Sequence, residues 1–160
     1  MLLAKPLDGK GGEGIFHVVE DDRNLVSILE QSTQFGKRSI MAQEYLPAVR
    51  QGDKRILLLE GEPIGAVLRV PAAHESRANL HVGGTPARAP LDENDRRILA
   101  RVGPFARDHG LFFVGIDVIG GRLTEINVTS PTGVQEINAL ENARLEARVI
   151  DRVEELARER

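Results

Sequence analysis

Four glycines fall within the six residues Gly9-Lys10-Gly11-Gly12-Glu13-Gly14. Neither a helix nor an ordinary strand runs through such a stretch, because each glycine adds backbone freedom that a regular element must remove. Before it, Leu2 to Lys5 reads as the end of a strand; after it, Ile15-Phe16-His17-Val18-Val19 reads as a second strand. A Walker A loop would place Ser or Thr after a Gly-Lys pair, and a dinucleotide fingerprint would open a helix; this segment does neither. Two readings remain. One is a β-flap whose bare amides approach phosphate oxygens, with Lys5 adding a point charge. The other is a flexible hairpin turn.

The rest of the chain alternates short strands with helices. Residues 24–35 carry Leu25, Ile28, Leu29 and Ser32 at helical spacing, with Gly36 as a C-terminal cap. Ser39 to Tyr45 is a strand stopped by Pro47. Lys54–Glu60 and Ile64–Val70 form a hairpin around Gly61-Glu62-Pro63, and Pro71 to Pro90 shows no period. Asp92 caps a helix running to about His109, which Pro104 is expected to kink or divide. Phe112–Ile119 and Leu123–Val128 form another hairpin around Gly120-Gly121. From about Glu136 the tail sets Leu145, Val149, Val153 and Leu156 on one stripe. The expected class is α+β, a largely antiparallel sheet with helices packed on one side.

Composition narrows the function. With 41% hydrophobic and 28% charged residues, 160 residues support a packed domain rather than a disordered tail. A net charge of −3 and only six aromatics (five Phe, one Tyr) argue against nucleic acid as a partner. No apolar run approaches the ~20 residues of a membrane span, and Lys5 comes too early for a secretory signal. The absence of cysteine excludes disulfides, zinc–thiolate sites and thiol catalysis, and suits a reducing cytoplasm.

Two clusters carry chemistry. In the last hairpin, strand alternation puts Glu125 and Asn127 on one face. A two-residue turn would set Asp117 opposite Thr124; a three-residue turn, Gly120-Gly121-Arg122, sets it opposite Glu125 and is the expected one. Asp117, Glu125 and Asn127 together offer oxygen donors suited to a hard cation such as Mg²⁺. The alternative is a solvated polar face, on which two directly opposed carboxylates would repel. Arg55 and Arg69 project from neighbouring apolar strands, as salt-bridge partners or as a clamp on a transferring phosphoryl group. Arg77 and Asn79, in the aperiodic segment, are placed to close over a reaction site. His17, His74, His81 and His109 show no metal-ligand spacing.

Taken in order, these segments resemble one known family. Lys5-Pro6-Leu7-Asp8-Gly9-x-Gly11-Gly12, Met41-Ala42-Gln43-x-Tyr45-Leu46-Pro47 and Gly52-Asp53-Lys54-Arg55-Ile56 are similar to segments of bacterial glutathione synthetases. So are Arg69-Val70-Pro71, Asn79-Leu80, Gly83-Gly84, Val114 to Gly120 and Leu123 to Thr132. The similarity runs from about residue 3 to residue 137.

The resemblance implies an ATP-grasp fold, here partial, and an ATP-dependent carboxylate–amine ligase. Such an enzyme joins γ-glutamylcysteine to glycine through an acyl phosphate. It implies that Lys5, Gly9, Gly11 and Gly12 hold ATP phosphates, that Gln43, Tyr45 and Leu46 line the adenine pocket, and that Asp53 contacts the ribose. By the same resemblance Arg55 and Arg69 are catalytic. Residues 71–85, with Arg77 and Asn79, form a lid over the intermediate. Asp117, Glu125 and Asn127 hold Mg²⁺, or Mn²⁺ in its place. The family works in the cytoplasm and tends toward homo-oligomers.

The sequence departs from the family's pattern at Lys10, Ala78, Gly133 and Gln135; the last two stand where Cys and Arg are common. All 160 residues are expected to form the catalytic ATP-grasp portion, with the N-terminal substrate domain and the first part of the ATP-grasp lobe absent. Such a piece is expected to bind ATP weakly and not to turn over alone. The competing expectations are another ATP-grasp carboxylate–amine ligase and a non-catalytic nucleotide-binding remnant.

Overall fold

The structure is a computed structural model that describes residues 1–8, 11–73, 78 and 83–159. Two antiparallel sheets organise it. The smaller contains β1 (Leu2–Pro6), β2 (Phe16–Val18) and β3 (Ile40–Glu44) in the order β2-β1-β3. The larger contains β4 (Asp53–Leu59), β5 (Glu62–Val70), β6 (Thr85–Arg88), β7 (Phe113–Ile119) and β8 (Arg122–Asn127) in the order β6-β5-β4-β7-β8. The helices are α1 (Leu25–Ser32), α2 (Glu93–Asp108), α3 (Val134–Glu141) and α4 (Leu145–Arg158), with a short 3-10 turn at Pro47–Gln51.

The larger sheet is covered on both faces, which corrects the expectation of helices on one side. Ile56, Leu58, Ala66, Val114, Ile116 and Val118 pack against Val102 and Ala106 of α2. Leu57, Ile64 and Val67 point the other way and pack against Ile137 of α3 and Leu145 of α4. The physical reason lies in the unbroken run Ile56-Leu57-Leu58-Leu59. A strand apolar at successive positions needs cover on both faces, whereas an alternating one needs it on one.

Local chemistry sets the helix ends. Asp92 and Asp95 form a reciprocal cap on α2, each carboxylate accepting the other's backbone N–H at 2.9 Å. Asp95 is buried and also receives Lys54 Nζ from β4 at 2.5 Å, which ties the helix start to the sheet. The helix runs undivided through Pro104, held across it by Ile98, Leu99, Val102 and Ala106 on the sheet. The tail, by contrast, is two helices. Asn142 adopts a left-handed conformation (φ 53°) after α3, and Asn138 Oδ1 accepts the N–H of Leu145 at 2.9 Å to start α4. Within the aperiodic stretch, Thr85–Arg88 forms β6 on the sheet's edge, the one place where Pro86 removes no needed ladder bond.

Candidate active site

Between the two sheets lies an open cleft of about 1180 Å³. Lys5, Gly11, Gly12, Gln43, Tyr45, Leu46, Asp53, Arg55, Arg69, Asp117, Glu125 and Asn127 all line it. Gly9, Arg77 and Asn79 lie outside the described residues, as do His74 and His81.

The β7–β8 hairpin decides whether the acids meet. Its turn has two residues, Gly120 (φ 56°) and Gly121 (φ 73°), not the expected three. Two successive positive φ values are what the tight turn of a twisted hairpin demands. Ile119 pairs with Arg122 and Val118 with Leu123, a register that alone would send Asp117 to Thr124. A bulge intervenes. Thr124 is the extra residue, its hydroxyl donating to the Asp117 carbonyl at 3.1 Å, and Asp117 then pairs with Glu125 and Gly115 with Asn127. The three side chains share a face by a different route from the expected turn.

That face belongs to β4 and β5 as well. Asp117 pairs with Arg55, and Asp53 pairs with Arg69. All four charged side chains are buried. Arg55 grips Asp117 with a fork, Nε to Oδ1 and Nη2 to Oδ2 at 2.8 Å, and its Nη1 donates to the Thr132 carbonyl at 3.2 Å. Arg69 Nη2 reaches Asp53 Oδ2 at 2.5 Å and Asp117 Oδ2 at 3.0 Å. Gly115 makes this seating feasible, since a Cβ there would lie 2.6 Å from Pro131 Cβ and 3.1 Å from Arg55 Cδ. Lys5 Nζ crosses from the smaller sheet to Glu125 Oε1 at 2.8 Å.

The far side of the cleft is less polar. Tyr45 is buried and stacks on His17, ring centroids 4.0 Å apart. Val49 and Ala78 pack beside it, so the one described residue between 74 and 82 closes onto the Tyr45 wall. Several buried polar atoms find no hydrogen-bond partner among the described residues: Tyr45 Oη, His17 Nε2, Asp53 Oδ1, Arg69 Nε and Asn127 Nδ2. Groups left so are open to water, an ion or a bound molecule. His17, without metal-ligand spacing in the sequence, and Thr132, within the Leu123–Thr132 segment but with no role expected of it, both contact site residues here: His17 stacks on Tyr45 and the Thr132 carbonyl accepts from Arg55.

The two aspartates titrate apart. Burial pushes the Asp53 carboxyl up to about 7 against the pull of Arg69. Burial raises Asp117 too, but hydrogen bonds from Arg55 and the charges of Arg69 and Arg55 outweigh it and hold that carboxyl below the usual range. The sign for Asp53 follows. Between about pH 4 and about pH 7 the folded chain keeps a proton that the unfolded chain has released, so this group's contribution to stability falls as pH rises through the window. Asp53→Asn removes the step. In urea unfolding across that window the variant is expected to gain on wild type by up to about 1.4 kcal/mol per pH unit. Parallel stability curves would refute it.

The donor set fits a hard cation. Asp117, Glu125 and Asn127 offer oxygen ligands, and the buried Asn127 Nδ2 has no hydrogen-bond partner among the described residues. Among the described residues no group of three His, Cys, Asp or Glu side chains offers a rival site. No helix among them is long and apolar enough to cross a membrane.

With this geometry in hand, comparison with known proteins is decisive. Residues 1–142 match the family described as the ATP-grasp domain of prokaryotic glutathione synthetase. The chain belongs to that family. Proteins named glutathione synthetase from Thermosynechococcus vestitus (57% identity, 94% of this chain, 47% of that one) and Gloeobacter violaceus (55%, 98% and 48%) are among its relatives. The chain thus spans about half the length of the curated relatives it matches. Its fold is that of a D-alanine–D-alanine ligase from Bacillus anthracis complexed with ATP, at a TM-score of 0.62 and 18% identity, covering 99% of this chain and 54% of that one. A D-cycloserine synthetase is similar at a TM-score of 0.57 and 16% identity, covering 86% of this chain and 49% of that one.

Proposed function

We propose that the chain is the nucleotide-binding catalytic portion of a cytoplasmic glutathione synthetase. The reaction ligates γ-glutamylcysteine to glycine at the expense of ATP. The observation that carries this reading is the meeting of Lys5, Arg55 and Arg69 with Asp117, Glu125 and Asn127 in one cleft beside a glycine loop. Family membership supports it.

In the proposed sequence a carboxylate oxygen of the dipeptide attacks the γ-phosphorus of ATP, and ADP leaves with the bond electrons. The glycine amine then attacks the acyl carbon, phosphate departs, and the amine gives up a proton. Mg²⁺, or Mn²⁺, held by Asp117, Glu125 and Asn127 would neutralise charge on the phosphates. Lys5 and the amides around Gly11 and Gly12 would hold the triphosphate, and Gln43, Tyr45, Leu46 and Asp53 the nucleoside. Arg55 would meet charge on the transferring phosphoryl group. Arg69 would hold the carboxylate and then its acyl phosphate. Residues 71–85 would exclude water from that intermediate.

Two measurements test it. Mg·ATP near a hundred times its Kd is expected to raise the chain's Tm by about 5–10 °C. In a chimera, this chain would replace the matching 150 residues of the Thermosynechococcus vestitus protein. It is expected to form glutathione with one phosphate released per turn. A chimera that folds and cleaves ATP in the presence of both substrates without yielding glutathione would overturn the substrate assignment and leave another ATP-grasp ligase.

A further inference from the structure

Each carboxylate of the cation-binding set is already held by a cation of the protein. Asp117 is forked by Arg55 and touched by Arg69 at 3.0 Å, while Lys5 sits on Glu125 at 2.8 Å. The pairs reach across the fold rather than along it: Arg55 and Asp117 are 62 residues apart in sequence, Lys5 and Glu125 are 120 apart. Both oxygens of the Asp117 carboxylate accept an Arg55 N–H group, and Arg69 Nη2 stands 3.0 Å from Oδ2 as a second ion pair. A divalent ion arriving alone therefore meets two guanidiniums and an ammonium instead of open acids.

The same three cations are the groups suited to phosphate and carboxylate oxygens. The bonding left open points that way: Arg69 Nε is buried with no hydrogen-bond partner among the described residues, while Nη2 serves Asp53 and Asp117.

We propose that the ligand-free site is closed by these internal ion pairs and loads by partner exchange. An anion draws Lys5, Arg55 and Arg69 away from Glu125 and Asp117, and only then do the two carboxylates accept a divalent cation. Anion and cation binding are thus positively coupled through three residues, and the coupling is reciprocal. The inference rests on the proposed use of this cleft for a metal–nucleotide pair and adds how the two arrive. Without a polyphosphate the site refuses the metal, so free Mg²⁺ does not occupy the acids and hold the cleft in an unproductive state.

The test follows Mn²⁺ by electron paramagnetic resonance. Wild type is expected to bind Mn·ATP measurably, and Mn²⁺ alone at least tenfold more weakly than that. Lys5→Met, which frees Glu125, and Arg69→Met, which removes one of the two guanidiniums on Asp117, are expected to bind Mn²⁺ alone more tightly than wild type, Lys5→Met by at least tenfold. Adding Asp117→Asn to Arg69→Met, or Glu125→Gln to Lys5→Met, should abolish the gain. Arg69 is buried and its loss threatens folding, whereas Lys5 is only partly buried and pairs with an exposed Glu125, so Lys5→Met decides alone if the other variant does not fold. If Mn·ATP binds wild type but neither variant gains affinity for Mn²⁺ alone, the exchange is wrong and the site assignment stands. If wild type takes Mn²⁺ alone as tightly as the variants do, the exchange is likewise wrong. If Mn·ATP does not bind wild type at all, the nucleotide reading fails and the exchange falls with it.

Discussion

Asp117→Ala is expected to lower the unfolding free energy by about 3–5 kcal/mol, read as a fall in urea midpoint with an unchanged m-value. The reason is not the loss of one attractive pair. Arg55 and Arg69 are both buried, and Asp117 is the group their charges share. Its removal leaves Arg55 with the Thr132 carbonyl and the more distant charges of Asp53 and Glu125, and Arg69 with an Asp53 that burial inclines toward its neutral form. Two nearly uncompensated guanidiniums would then sit in the sheet interior, and the desolvation cost dominates. Asp117→Asn is expected to cost less, since the amide oxygen still accepts one hydrogen bond. A loss below ~1 kcal/mol for the alanine variant would mean that water reaches both arginines and that the cluster is not a dry one.

Gly61→Ala is the second large effect, on the order of 3 kcal/mol, and it lies far from the cleft. Gly61 turns the β4–β5 hairpin at φ 81°, and a Cβ there would stand 2.4 Å from the Gly103 carbonyl of α2. The neighbour is backbone and has no rotamer to yield. The partner substitution makes the argument sharper. A Cβ on Gly103 would stand 2.7 Å from the Gly61 carbonyl. In an ordinary helix, Gly→Ala stabilises by about 1 kcal/mol, so a destabilised Gly103→Ala isolates the contact from helix propensity. A Tm for Gly103→Ala at or above wild type would show that the hairpin tip can lift from the helix at no cost.

Much of this architecture is written locally. The cap at Asp92, the hairpins around Gly61 and Gly120, and the strand–loop–strand at the N-terminus each depend on residues within one turn of each other. The side to which Ile56 and Leu57 turn does not, because an unbroken apolar run states that both faces are buried without saying by what. The β6 strand was hidden by Pro86, which forbids an inner position but permits an edge. The tail's division at Asn142 gave no signal, since asparagine tolerates the left-handed conformation without requiring it.

The site was legible in part. Residue types and period two brought Glu125 and Asn127 together, and Asp117 followed only because Thr124 bulges, a tertiary choice made by one hydroxyl. The charge network was the least readable. Nothing in Gly52-Asp53-Lys54-Arg55 or Leu68-Arg69-Val70 says that Arg69 spans from Asp53 to Asp117, since that depends on β4 lying between β5 and β7.

The two walls of the cleft differ in cohesion. On one side Ile56, Leu57, Leu58, Val114 and Ile116 are fully enclosed. On the other, α1 encloses no residue, and Leu25, Val26 and Leu29 face outward beside a three-stranded ribbon. A molecule bridging them grips one firm surface and one that must first be stiffened, so part of the gross attraction is consumed in ordering the looser wall. Measured affinity then understates what the contacts supply. A substitution that tightens α1 against its ribbon, touching no bound molecule, would strengthen binding by removing a penalty rather than by adding an attraction.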